Sequence, residues 1–280
     1  MGIDLHAHTT ASDGSFSPTE LVAHAREVGL SALGITDHDT IGGWNEAFAA
    51  GESLNIEIVP GVELSVAYEG GRFHLLAYYC AVDSELTEVL AEIQAARSNR
   101  NVVIFDNLRE LGLPLEEAEV FAFAGDKGVV GRPHFAQAMM KRGYVESTQE
   151  AFDKYLADGK PAYSTKAVLT PQRALELIRL AGGVSVWAHP PRSGQHSLDE
   201  LEACLKDWVG WGLDGLETYY SAYTDAQAQW TARMQKQYDL LGTGGSDFHG
   251  APKPTVKLGV THTGKAVPDE VLDALKARRS

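Results

Sequence analysis

The chain has 280 residues, of which 44% are hydrophobic and 22% charged, the balance of a globular protein able to bury roughly 75% of its unfolded surface. Its 24 Lys and Arg stand against 38 Asp and Glu, a formal net charge of −14. That excess argues against a surface that grips duplex DNA along its phosphates, but not against a small anionic substrate, because bound divalent cations can invert the local sign of a site.

In chain order, residues 3–8 read as a strand, followed by Ser17-Pro18-Thr19-Glu20, a capping box with proline at the first helical position. The helix runs to Gly29, a C-terminal stop. Residues 31–36, 57–64 and 72–79 read as three further strands. Between Ser84 and Ser164 the strand signal vanishes and helical periodicity takes over, with Leu86, Val89, Leu90 and Ile93 on one stripe and Phe135, Ala138 and Met139 on another. After Thr170-Pro171 a helix ends at Gly182-Gly183. Strands at 184–188, 213–218 and 241–245 then alternate with helices at 198–208 and up to Tyr238. Repeated βα units predict a mostly parallel sheet, formed by residues 1–83 and 165–280, with 84–164 as a helical insert lying over the strand ends. The longest apolar run, 75–82, is too short to cross a membrane, and the N-terminus lacks the basic and apolar regions of a secretory signal. A cytoplasmic location is expected. Cys80 and Cys204, without CxxC spacing, read as buried free thiols. No segment calls for an obligate protein partner.

Seven of the ten histidines fall in short clusters, most of them with a carboxylate. They are His6-Ala-His8 with Asp13, Thr36-Asp37-His38-Asp39, His74, Gly131-Arg132-Pro133-His134, Ala188-His189-Pro190 and Ser246-Asp247-Phe248-His249, joined by Gly61-Val62-Glu63. Imidazole nitrogen and carboxylate oxygen hold borderline divalent cations, and this many donors exceed one tetrahedral site. His6 and His8, two apart on a strand, share a face. A bland reading remains for some of them. Asp13 could serve only a turn, and Asp39 and Thr40 could cap a helix. Most of these positions fall where strands end, the site face of parallel α/β folds. His24, His196 and His262 read as solvated side chains, and Trp187, Trp208, Trp211, Tyr219 and Tyr220 as core or pocket wall.

Taken in order, these motifs resemble the polymerase-and-histidinol-phosphatase (PHP) metal-dependent phosphoesterases, over nearly the whole chain. They are most similar to the subgroup of nucleoside 3′,5′-bisphosphate phosphatases and 5′-to-3′ exoribonucleases. The resemblance implies a distorted (β/α)7 barrel with two to three divalent ions, Mn2+ first, with Zn2+ or Fe2+ as alternatives. It places His6, His8, Glu63 and Asp247 on the first ion, Glu63, His74 and His134 on the second, and Asp13, His38 and His249 on the third. A metal-bridging hydroxide would attack phosphorus, with His189 as the candidate acid or phosphate contact. Arg97, Arg100, Arg132, Lys160 and Arg192 are the candidate donors to a second phosphate. The insert holds nine Lys and Arg against thirteen Asp and Glu, which is no track for a long strand. The expected substrate is a nucleoside 3′,5′-bisphosphate, with short RNA, histidinol phosphate or a non-catalytic metal-binding role as alternatives.

Overall fold

The computed structural model describes residues 2–69, 71–124, 130–157, 159–163, 168–192 and 196–279, with the side chains of 97–99 and 124 left aside. The chain divides into two compact units, Met1–Leu90 with Val168–Ser280, and Ala91–Ala167.

The first unit is built on seven strands that neighbour one another in chain order: β1 (Gly2–Asp4), β2 (Leu30–Ile35), β3 (Glu57–Tyr68), β4 (Gly71–Tyr78), β5 (Val184–Ala188), β6 (Gly215–Tyr220) and β7 (Leu241–Gly245). Helices α1 (Pro18–Glu27) and α2 (Trp44–Leu54) connect the early strands. Helices α7 (Pro171–Leu180), α8 (Leu198–Gly210), α9 (Asp225–Gln237) and α10 (Glu270–Ala277) belong to the later half. Four strand pairs are parallel, but β4 runs antiparallel to both β3 and β5. The reason is the connection. Tyr68 pairs with Gly71 across a tight turn, and parallel neighbours would need a crossover of a dozen residues or more. β7 returns beside the start of the chain, where Leu5 N–H donates to Gly244 O (3.2 Å), Asp247 N–H to His6 O (2.8 Å) and His8 N–H to Phe248 O (2.9 Å). The result is a distorted (β/α)7 barrel.

Its apolar clusters pack Trp187, Trp208, Phe73 and Leu75 on one side and Leu21, Leu33, Ile35 and Trp44 on another. Cys80 and Cys204 are buried free thiols, as expected. Two helices escape the sequence reading. α2 starts after Gly43 without a side-chain cap and contains Gly51, and α10 starts after Asp269, which makes no side-chain capping hydrogen bond. Without those signals a short amphipathic helix is silent. The alternative in which Asp39 or Thr40 caps a helix does not hold, because the next helix begins only at Trp44.

The second unit contains most of α3 (Glu85–Glu110), then α4 (Glu117–Ala124), α5 (Arg132–Lys141) and α6 (Thr148–Ala151). It has a core of its own, in which Ile104, Phe105, Leu108, Val120, Phe135, Met139 and Leu156 are buried together. No described helix is long and apolar enough to cross a membrane.

Candidate metal centre

The site forms at one end of the barrel. Parallel strands deliver candidate ligands just past their C-terminal ends, His6 and His8 after β1, His38 after β2, and Asp247 and His249 after β7, while His189 follows β5. Glu63 lies within β3. The reversed β4 delivers His74 near its beginning instead, opposite Ser65 and Ala188. Buried carboxylates outside the ligand set hold these loops. Asp4 accepts N–H groups from His6 (3.1 Å), Ser246 (3.0 Å) and Gly259 (2.8 Å). Asp37 accepts from Thr9 N–H, Thr9 Oγ1 and Ser12 Oγ at 2.8, 2.7 and 2.6 Å, and so fastens the loop that carries Asp13. Asp39, with φ of +51°, accepts from Ser65 N–H and Oγ beside Glu63. Asp247 (φ +57°) and His189 (φ +32°) also hold left-handed backbone, a strain typical of functional sites.

Three groups of ligand atoms result, each within 4.8 Å: His6, His8, Glu63 and Asp247; His8, Asp13, His38 and His249; and His38, Glu63 and His74. His6 Nε2 and His8 Nε2 stand 3.3 and 3.2 Å from Glu63 Oε2, and 3.6 and 3.3 Å from Asp247 Oδ1. His249 Nε2 lies 3.3 Å from Asp13 Oδ1, and His38 Nδ1 lies 3.1 Å from Glu63 Oε2. His74 Nδ1 and His189 Nε2 converge on the other Glu63 oxygen, at 3.0 and 2.9 Å. Eight predicted ligands of the barrel thus come together, with His8, His38 and Glu63 each shared between two groups.

The residues fit divalent ions. His6 Nε2, both His8 nitrogens, Glu63 Oε2 and His74 Nδ1 are buried without a hydrogen-bond partner, an arrangement native proteins avoid unless something else satisfies such atoms. Burial alone would raise the Glu63 and Asp247 carboxyls. The neighbouring imidazoles, His74, His38 and His6 around Glu63 and His6 and His8 around Asp247, instead hold both well below the usual range. Burial would likewise lower His6 and His8. Glu63, Glu217 and Asp247 hold His6 well above its ordinary value, and Asp247 and Glu63 push His8 up to about 9. His38 is lowered to about 3, first by burial. The cage therefore draws in positive charge, and protons occupy the role that a divalent ion would take from them.

Two supporting residues, Glu217 and Lys253, carry no mark in the sequence, and Tyr220 reads there only as core or pocket wall. His6 Nδ1–H donates to Glu217 Oε1 at 3.0 Å, and Glu217 Oε2 accepts His189 N–H at 2.8 Å. Such a partner fixes the tautomer and leaves Nε2 as the ligand atom. The available signal was a carboxylate, Glu217, inside the strand read at 213–218. Tyr220 Oη–H and Lys253 Nζ donate to Asp247 Oδ2 at 2.8 and 2.6 Å, so Oδ1 is the oxygen turned to the histidines. No motif spacing marks either residue.

Among the described residues, none of the remaining expected site residues enters these groups. Arg192 lines a cavity of about 510 Å³ whose wall includes His38, Glu63, His74, His189 and Asp247. His134, Arg100, Arg132 and Lys160 belong to the second unit. There, His134 Nδ1 accepts Gly131 N–H (3.0 Å), and Arg132 donates to Leu156 O (3.0 Å) with its guanidinium over Tyr163. Arg100 lies on α3, Lys160 is exposed, and the Arg97 side chain lies outside the described residues. His24 stacks on Phe16, His196 on Phe73 and His262 beside Tyr219; each is half-buried rather than solvated, and none enters a ligand group.

The PHP domain family profile matches residues 4–208. A 5′-3′ exoribonuclease from Haemophilus influenzae is 38% identical over 88% of this chain and 89% of its own length. A 3′,5′-nucleoside bisphosphate phosphatase from Chromobacterium violaceum is 29% identical over 88% and 87%. The crystal structure of a protein from Bifidobacterium adolescentis assigned as a metal-dependent phosphoesterase superposes with a TM-score of 0.81 at 31% identity, covering all of this chain and 97% of that one. The conjunction of barrel, ligand cage and relatives makes this chain a member of the PHP domain family and a metal-dependent hydrolase of phosphoric esters.

Proposed function

We propose that the chain removes the 3′-phosphate of nucleoside 3′,5′-bisphosphates. The observation that carries this reading is the cavity of about 510 Å³ walled by Glu63, His74, His189 and Asp247, a volume within the range of single small-molecule sites. A pocket of that size on the ligand cage suits one nucleotide rather than a tract of chain. A second reading, 5′-to-3′ exonuclease action on short RNA, is favoured by the exoribonuclease at 38% identity. The two are chemically close, since in both the bond to the 3′-oxygen of a 5′-phosphorylated nucleoside would break.

His6, His8, Glu63 and Asp247 would hold one ion, and His8, Asp13, His38 and His249 another. We assign a further position to Glu63, His74 and His189, because both imidazoles reach Glu63 Oε1; the family resemblance gives that place to His134. Bound there, Mn2+, Fe2+ or Zn2+ would neutralise phosphoryl oxygens and make water acidic enough to act as a nucleophile near neutral pH. The protein's own part is orientation. Glu217 holds His6, the Asp247 carbonyl oxygen holds His249 Nδ1 at 2.9 Å, and Tyr220 holds Asp247. His189, turned to Glu63, then serves as a ligand rather than as the acid.

The test is a substrate panel on Mn2+-loaded protein: a nucleoside 3′,5′-bisphosphate, the matching 3′- and 5′-monophosphates, a short 5′-phosphorylated RNA and histidinol phosphate. The expected outcome is turnover of the bisphosphate to the 5′-monophosphate, with the 5′-monophosphate itself inert. Preference for histidinol phosphate would overturn the reading.

A further inference from the structure

The cage and the family account for the ligands, but not for the cationic side of the cavity. Beyond the histidines, its wall includes Arg192, Ser221 and the segment from Pro252 to Val256. In a chain of net charge −14, two cations lining one cavity with the ligand cage call for a reason. Lys253 Nζ pairs with Asp247 Oδ2 at 2.6 Å, yet its side chain stays 40% exposed. An ammonium has three donors, and one carboxylate oxygen uses one of them. Arg192 is exposed and has no ion-pair partner among the described residues. Ser221 Oγ is buried without a hydrogen-bond partner. A hydroxyl in that state is costly unless a ligand completes it.

We propose that Lys253, with Arg192 and Ser221, forms an anion subsite of the barrel that contacts phosphoryl oxygens of the substrate next to Asp247. Lys253 lies beside the cage and contributes charge where the phosphoryl group must sit. Arg192, following His189 in sequence, adds a forked donor to the lining of the same cavity. The subsite explains how a strongly acidic chain accepts a doubly charged ester. It rests on the reading of the site as a phosphoesterase centre, but not on which ester is cleaved.

The experiment measures inorganic phosphate binding to the Mn2+-loaded protein by calorimetry, with metal equivalents determined on the same samples. Phosphate is used because its binding does not depend on the organic part of the substrate, so a wrong substrate assignment and a wrong subsite give different results. Lys253→Ala is expected to weaken phosphate binding about ten-fold or more at unchanged metal content. Lys253→Arg should recover most of that loss, and Arg192→Ala should weaken binding in the same direction. Unchanged affinity in Lys253→Ala overturns the proposal. So does a loss that only parallels lost metal, because Lys253 would then act solely by holding Asp247. An unchanged Arg192→Ala removes the forked donor and overturns the two-cation subsite.

Discussion

Glu63 is the residue on which the groups meet. Its side chain is 1% exposed, Oε2 faces His6, His8 and His38, and Oε1 faces His74 and His189. Asp13, 53% exposed, sits at the rim with His8, His38 and His249. Glu63→Gln removes a charge shared by two groups, whereas Asp13→Ala trims one. The expected result, in steady-state assays of folded variants, is that Asp13→Ala keeps at least about ten times the residual rate of Glu63→Gln; comparable rates would refute the assigned positions. Glu217→Gln tests the support beneath His6. Its metal affinity should fall by roughly 10- to 100-fold, read by competition with a chelating dye. A variant binding metal as tightly as the parent would make Glu217 a packing residue only. The ligands were legible in the sequence because His-x-His, Asp-x-His and Gly-x-Glu are local patterns. Glu217, Tyr220 and Lys253 were not, because their partners lie 211, 27 and 6 residues away and only the fold brings them together.

At the scale of elements, the site depends on how closely neighbouring strands approach the segment after β1. Gly34 in β2 has no room for a side chain: a Cβ there would fall on the Leu5 carbonyl group. Gly245 at the end of β7 meets the same limit, since a Cβ would fall on the His6 backbone nitrogen. Alanine at either position must push a strand away from the segment bearing His6 and His8. The expected cost is about 1–3 kcal/mol each, seen as a melting temperature lower by roughly 2–10 °C; an unchanged melting curve would show that the strands yield freely. Neither glycine stands out in the sequence, where a strand glycine signals close approach without naming the neighbour. The reversal of β4 is a similar case. The sequence holds Glu69-Gly70-Gly71 between the two strands, but repeated βα units argued for parallel pairing, and the antiparallel reversal decides how His74 enters the site.

At the scale of the whole molecule, charge and folding are linked through the cage. Eight side chains meet in three overlapping groups joined at His8, His38 and Glu63. No single ion of tetrahedral or octahedral preference satisfies so many donors. Without cations, Glu63 and Asp247 remain ionised in a dry interior, and the chain already carries a net charge of −14. Ions that bind only the folded state therefore stabilise it by mass action, by about 2.7 kcal/mol for each site filled at one hundred times its Kd. Protein reconstituted with Mn2+, Fe2+ or Zn2+ is expected to hold more than one equivalent by elemental analysis. Stripping with a chelator should abolish ester hydrolysis and lower the melting temperature together, and returning metal should restore both. The two effects need not track each other through the titration. The group of His6, His8, Glu63 and Asp247 is the more buried, so an ion there should govern stability, while the group containing the exposed Asp13 should empty first. A single equivalent after reconstitution, or a melting temperature indifferent to chelation, would mean that protons on His6 and His8 suffice to hold the cage together.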